Sequence, residues 1–218
     1  MDISVSEKNE ITLNPNSSLP LKLPVTVQDL GIDPNSDSFH NYPRDGQRPI
    51  RSEIGFKSDD DWNRKYGNHV GRPFNMGPTT RENAFMALRH APAPETLFNV
   101  GRSVGAAVKT GDVSNVPGLG SVMHLVYPEH GVIVNVTRPD HVLHPGIVVR
   151  ELKENDGFFY VETSGIGTGI MPEFNERTAK QLWSNSNWSV SGGVDGRLMQ
   201  ILSRYGTKPM PENENRSR

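Results

Sequence analysis

The densest group of side chains able to carry chemistry runs Asn135-Val136-Thr137-Arg138-Pro139-Asp140-His141-Val142-Leu143-His144-Pro145-Gly146, with Arg150 shortly after. An imidazole titrates near pH 6.5, so it can take and give protons at neutrality. Two of them beside two guanidinium groups suit general acid–base attack on a phosphodiester. On this reading His141 and His144 are acid and base, and Arg138 and Arg150 neutralise the phosphoryl charge. Such a site needs no metal and no cofactor. The competing reading is a polar loop whose histidines cap backbone groups at a proline-rich corner.

A second segment, Glu162-Thr163-Ser164-Gly165-Ile166-Gly167-Thr168-Gly169, runs from alternating residues into alternating glycines. Glycines let consecutive N–H groups converge on an anion, and the Thr163, Ser164 and Thr168 hydroxyls add donors to phosphate oxygens. The spacing is neither a dinucleotide fingerprint nor a P-loop. If the strands carrying the two segments pair, both segments lie at one edge of a sheet. Pairing Leu152 with Phe158 sets Arg150 beside Tyr160 and near Glu162, with Thr163 on the other face beside Ile147 and Val149. Arg150 and Glu162 are then either a structural ion pair or an electrostatic clamp with its general base. Tyr160 and Glu162 join Arg138, Ser164 and Thr168 as candidate substrate contacts, while Arg150 and Thr163 stand with the histidines as candidate catalytic residues.

Other chemistries lack their signatures. His124, His130, His141 and His144 offer imidazoles, but Pro139 and Pro145 bracket the His-x-x-His pair and oppose the helix it would need, so no metal site is assigned. Asp59-Asp60-Asp61 lacks the glycine and closing glutamate of a calcium loop. A serine-hydrolase elbow is absent, because Ser103 in Gly101-Arg102-Ser103-Val104-Gly105 sits one position late. Trp62 with Tyr66, and Trp183 with Trp188, read as packing residues. Arg64, Lys65, Arg72, Arg81, Arg89 and His90 read as a solvated basic surface.

The elements that must position these residues follow from periodicity. Residues 1–61 are rich in Asn, Ser, Asp and Pro and read as an extended arm, whose short apolar pieces pack on the domain or engage a partner. Residues 62–207 form the domain, and 208–218 a disordered tail. A helix begins after Pro78, capped by Thr79 or Thr80, and stops at Pro92. A second runs from Pro94 through Ala107. From Val122 the period changes to two. With Tyr127 opposite Val132, residues Met123, Leu125, Tyr127, Val132, Val134 and Val136 make one apolar face, and His124 meets Asn135 on the other. A second hairpin joins Gly146–Leu152 to Phe158–Thr163 through Asp156-Gly157. Asn175–Trp183 and Val194–Tyr205 read as helices. The expected fold is therefore α+β: N-terminal helices, a four-stranded antiparallel sheet of two hairpins, and C-terminal helices.

Composition bounds the partners. The chain has 218 residues, with 21 glycines and 17 prolines, too many for a helical bundle. A formal charge of −2 gives no global pull toward nucleic acid or membranes, so any such binding is local. Having no cysteine excludes thiolate catalysis, disulfides and Cys-based zinc sites. No stretch approaches the roughly 20 apolar residues of a membrane span, and the N-terminus lacks the basic and apolar regions of a secretory signal. The chain is expected to be soluble, with no membrane partner, and to leave the producing cell, if it does, without a cleavable signal.

Over Val134–Arg150 and Val161–Gly169 the chain resembles the C-terminal toxin modules of secreted bacterial polymorphic toxins, including type VI secretion and contact-dependent inhibition effectors. Many such modules are compact, metal-independent ribonucleases using His, Arg and Thr or Ser. The resemblance implies a secreted antibacterial ribonuclease acting in the target-cell cytoplasm, with RNA preferred over DNA and a cognate immunity protein as partner. It makes His141 or His144 the acid or base, Arg150 the charge stabiliser and Thr163 a phosphate ligand. The alternative is a non-enzymatic structural or adaptor module of a secretion, phage or toxin complex. A third class is another effector enzyme, modifying nucleotides or protein.

Overall fold

The computed structural model describes residues 2–14, 20–42, 50–57, 79–93, 106–116, 118–155, 158–169, 201, 204–206 and 208–210. The chain opens with β1 (Asp2–Val5), β2 (Glu10–Asn14) and β3 (Leu21–Thr26), a three-stranded antiparallel sheet. β4 (His40–Tyr42) and β5 (Ile50–Lys57) precede the helix α1 (Arg81–His90). Then come β6 (Val113–Val116), β7 (Gly120–Tyr127), β8 (Val132–Thr137), β9 (Gly146–Asn155) and β10 (Phe158–Gly167). The larger sheet has seven strands in the order β4-β10-β9-β8-β7-β6, with β5 also paired to β10.

This corrects the expected fold. The four strands of the two hairpins are present and antiparallel, but they are the middle of a seven-stranded sheet, a second sheet accompanies it, and one α-helix is found among the described residues. Apart from β5, whose eight residues carry Ile50, Ile54 and Phe56 on one side of the alternation but follow a Pro- and Asp-rich stretch read as an arm, the added strands were hard to read because they are short. Val-Ser-Asn-Val in β6 has too few residues for a period to register, and Pro24 interrupts β3. Of the second expected helix, 106–109 has no regular structure and the rest lies outside the described residues. The helices expected over 175–183 and 194–205 also lie outside them, except that Ile201 and Arg204–Tyr205 are helical. Trp62, Tyr66, Trp183 and Trp188 are outside as well.

Both faces of the sheet are covered. The first hairpin has the expected register, Tyr127 opposite Val132 and His124 opposite Asn135. Its apolar face packs with Ile147, Val149 and Ile166 against Ile11, Leu13, Leu23, Val27 and Ile32. The N-terminal segment thus packs on the domain, laying β1–β3 over this face. The opposite face carries Ile133, Leu152, Phe159 and Val161, against Ala84, Phe85, Ala87 and Leu88 of α1. Thr80 is the N-cap, accepting from Asn83 N–H at 3.1 Å, while Thr79 Oγ1 donates to the Gly206 carbonyl at 2.9 Å.

The second hairpin departs from its expected register. Leu152 pairs with Val161, and Phe158 with Asn155, a shift of three residues. An odd shift moves every side chain of one strand to the other face. The observed pairing puts Leu152, Phe159 and Val161 together under α1, and burial of that apolar set selects it.

Leu152 is fully buried in that layer. Leu152→Ala is expected to lower unfolding free energy by about 2–5 kcal/mol, whereas Val113→Ala, at a residue 49% exposed on β6, should stay within about 0.5 kcal/mol. Urea unfolding of the two variants checks the contrast.

Candidate functional site

The joint between β8 and β9 is a tight polar corner held by its own backbone. His141 N–H donates to the Arg138 carbonyl at 2.8 Å, His144 N–H to the His141 carbonyl at 2.9 Å, and Val142 N–H to the Leu119 carbonyl at 2.7 Å. Asp140 anchors the corner to β7, accepting from Ser121 Oγ at 2.6 Å and Ser121 N–H at 3.0 Å. The Ser121 hydroxyl holds its carboxyl below the usual carboxylate range. Gly120, at φ 103°, lies so close that a Cβ there would collide with the Asp140 carbonyl and the His141 Cα. Only glycine serves at that crossing.

Both imidazoles are pinned through Nδ1, in opposite senses. Leu143 N–H donates to His141 Nδ1 at 3.1 Å, so that nitrogen is bare and the neutral ring carries its proton on Nε2. His144 Nδ1 lies 3.1 Å from the Thr137 carbonyl, which can only accept. In the neutral ring Nδ1 therefore carries the hydrogen and Nε2 is the acceptor. The Thr137 hydroxyl is committed elsewhere, donating to the Gly146 carbonyl at 2.9 Å and accepting Gly146 N–H at 2.8 Å. Burial pushes His141 below the ordinary histidine pKa, and His144 beside it acts in the same direction, against the Asp140 charge.

Of the glycine-rich segment, only its far end reaches this corner. Gly167 pairs with Gly146, and Thr168 N–H donates to the Pro145 carbonyl at 3.0 Å. Arg138 is exposed at the corner and His144 half-buried. Thr163 pairs with Arg150, four ladder positions from Gly146, about 13 Å away at strand rise. The pairing removes the expected conflict between them, since cross-strand partners share a face. It also places both inside the protein: Arg150 is fully buried and Thr163 is 4% exposed. Arg150 Nη1 donates to the Ala91 carbonyl at 2.8 Å, just beyond α1. Arg150 and Thr163 are thus structural neighbours under the helix rather than parts of the corner.

The expected couple of Arg150 with Glu162 does not form, because the register turns Glu162 to the opposite face. There its partner is Lys153, with Nζ 2.6 Å from Glu162 Oε1 and 3.2 Å from Glu151 Oε2, all three side chains nearly fully buried. Burial raises the Glu151 carboxyl. Burial acts the same way on Glu162, but hydrogen bonds and positive charge, those of Lys153 among them, together outweigh it and hold that carboxyl low. Lys153 is raised, its two carboxylates overcoming the cost of burial. Tyr160 pairs with Lys153 and is half-buried, and Ser164, 2% exposed, pairs with Val149. Both occupy this same side of the ladder, away from the corner.

The sequence reading missed Lys153, Ser121 and Ser114. Lys153 lies in a strand stretch with charges on both sides, where a buried position has no local signature. Ser114 accompanies His124, a residue weighed for its register and as a metal ligand but not for a serine partner. His124, fully buried, has Nδ1 2.7 Å from Asn135 Oδ1 and Nε2 2.7 Å from Ser114 Oγ. Burial lowers its pKa against the Asn135 hydrogen bond and the Asp112 charge.

No family model matches the chain, and no curated protein does. Among solved structures, the crystal structure of Ara h 8.0201 aligns with a TM-score of 0.33 and 15% identity, over 58% of this chain and 91% of that chain.

Two buried histidines with lowered pKa give a pH signature. The folded state keeps His124 and His141 neutral, while the unfolded chain protonates them near pH 6.5. Stability is therefore full above that value and is lost as pH falls below it, because the unfolded state then binds more protons. The urea midpoint is expected to drop between pH 7.5 and pH 5.5. A midpoint constant across that range would contradict it.

Proposed function

We propose that this chain is a metal-independent ribonuclease of the secreted-toxin kind, acting at the corner formed by Arg138, His141, His144 and Thr168. The observation that carries the reading is the opposed protonation of two imidazoles in one loop. His144 has its bare Nε2 as a base, and His141 has its proton on Nε2 as a donor. An acid–base pair is what cleavage of a phosphodiester without a metal requires.

RNA is the favoured substrate because the corner's own hydroxyl, Thr137, is engaged with Gly146 on both sides. A substrate that brings its nucleophile fits such a site, and the ribose 2′-hydroxyl is one. His144 Nε2 takes the 2′-proton as that oxygen attacks phosphorus. The P–O5′ bond breaks, and the departing oxygen takes the Nε2 proton of His141 once that ring has been protonated on Nδ1, which requires the contact from Leu143 N–H to open, leaving a 2′,3′-cyclic phosphate. Exposed Arg138 neutralises phosphoryl charge, and Thr168 joins the corner through its N–H bond to the Pro145 carbonyl. Arg150, Thr163, Ser164, Tyr160 and Glu162 have no part at the reacting atoms. On this reading the chain acts in a target cell, and an immunity protein would present acidic groups to Arg138.

The non-enzymatic module is the second reading, favoured by the use of both Nδ1 atoms to hold the corner's own backbone. Purified wild type and His144→Ala, incubated with total RNA and a fluorescent ribo-oligonucleotide, separate the two. The ribonuclease reading expects cyclic-phosphate ends from wild type and a loss of at least about 100-fold in His144→Ala. It also expects a rate optimum on the acid side of neutrality, since burial keeps His141 mostly unprotonated at pH 7. Intact RNA with wild type at every pH from 5 to 8 would leave the module.

A further inference from the structure

On the helix side of the sheet, β6, β7 and β8 bring three polar side chains into line. His124 and Asn135 form a directly opposed pair. Ser114 pairs with Val122, so it lies diagonal to His124 on the same face. Each proton in the line is assigned by an acceptor that has no alternative. Asn135 Nδ2 donates to the Pro92 carbonyl at 2.8 Å, which fixes its amide and turns Oδ1 toward His124. That oxygen only accepts, so His124 Nδ1 carries the hydrogen. Nε2 is then bare, and the contact to Ser114 Oγ at 2.7 Å is a hydrogen bond donated by the serine hydroxyl. A serine whose proton is already directed at an oriented imidazole is the arrangement of an activated nucleophile.

We propose that Ser114, His124 and Asn135 are a second catalytic site, a Ser-His-Asn triad for acyl transfer from short-chain esters. His124 N–H donates to the Asp112 carbonyl at 2.9 Å. By the alternation of an antiparallel ladder, Ser114 then also turns its backbone toward β7, and Asn115 turns its N–H away from β7, beyond which no strand pairs with β6 among the described residues. The Asn115 N–H, next after the nucleophile, is the oxyanion donor. Ser114 is half-buried, and Val116 and Val122 beside it cluster with Ala93 and Leu119. That apolar wall suits a short acyl chain. Esters rather than amides follow from the third member: a neutral amide orients the imidazole but adds no charge to stabilise an imidazolium, so the leaving group must be good.

Each turnover balances. Ser114 Oγ bonds to the acyl carbon as its proton passes to His124 Nε2. The ester C–O bond breaks and that proton leaves with the alcohol. Water then gives a proton to Nε2 and its oxygen to the acyl carbon, and the serine recovers its hydrogen as the acid departs.

The absence of cysteine from the chain makes a direct test available. Ser114→Cys places the only thiol of the protein against His124 Nε2, and Asn115→Cys places one next door, away from it. Iodoacetamide at pH 7 should alkylate the first at least tenfold faster than the second. Wild type should take a fluorophosphonate on Ser114, located by peptide mass spectrometry, and hydrolyse p-nitrophenyl butyrate. Ser114→Ala, folded by circular dichroism, should lose both. Equal thiol reactivities, or wild type that neither labels at Ser114 nor cleaves the ester, would overturn the proposal.

Discussion

The structure depends on how the chain leaving α1 is tied to the sheet beneath it. A helix end leaves carbonyls without intrahelical partners, and here they face a buried sheet. Two strands answer with polar side chains from within the apolar layer: Arg150 on β9 bonds to the Ala91 carbonyl, and Asn135 on β8 bonds to the Pro92 carbonyl. Arg89 continues the pattern, donating through Nε to the Val108 carbonyl while its own carbonyl accepts Val108 N–H. A buried guanidinium is costly unless it is bonded, so these residues specify where the helix ends as much as they stabilise it. The same ties set Asn135, and through it the orientation of His124.

The other face solves a different problem. It is closed by β1–β3, and the charges trapped beneath that layer must balance locally. Lys153 bonds to Glu162 and Glu151, which the observed register of β9 and β10 sets opposite each other, and burial raises Glu151 against carrying a second negative charge. One register thus serves two layers at once: apolar side chains under the helix, and a compensated charged group under the N-terminal sheet. A slip of β9 by one position would put Lys153 under α1 and Leu152 under β1–β3 while Glu162 stayed where it is, parting the ion pair and splitting the apolar set, which explains why pairing is not negotiable here.

The corner and the His124 line differ in what they would offer a reactant. The corner lies at the end of the ladder, with exposed Arg138 and a half-buried imidazole, where a polymer can approach. Ser114, His124 and Asn135 lie toward the other side of the sheet, where β6 is the last strand among the described residues. Both get their proton-accepting nitrogen by the same means: the other nitrogen of the ring is bound to an oxygen that cannot donate. That is a property of fixed backbone and amide groups, and it holds a neutral imidazole in one tautomer.

Alternation alone revealed the first hairpin, its register and the facing of His124 and Asn135, because a period of two with a tight connection leaves a single pairing that buries the apolar set. It also revealed the start of α1 and the gathering of histidines at a proline-rich corner. The rest was decided by contacts between residues distant along the chain. The short strands of the N-terminal segment and β6 have no periodicity long enough to detect, and become strands only because a neighbouring edge accepts them. The register of the second hairpin was decided by α1, whose apolar face required Leu152, Phe159 and Val161 on one side. That choice took Arg150 and Thr163 out of the corner and into the core. It gave Glu162 to Lys153. Tertiary structure also made a pair of facing residues into a relay, since the carbonyl that orients Asn135 and the serine that meets His124 both come from other parts of the fold.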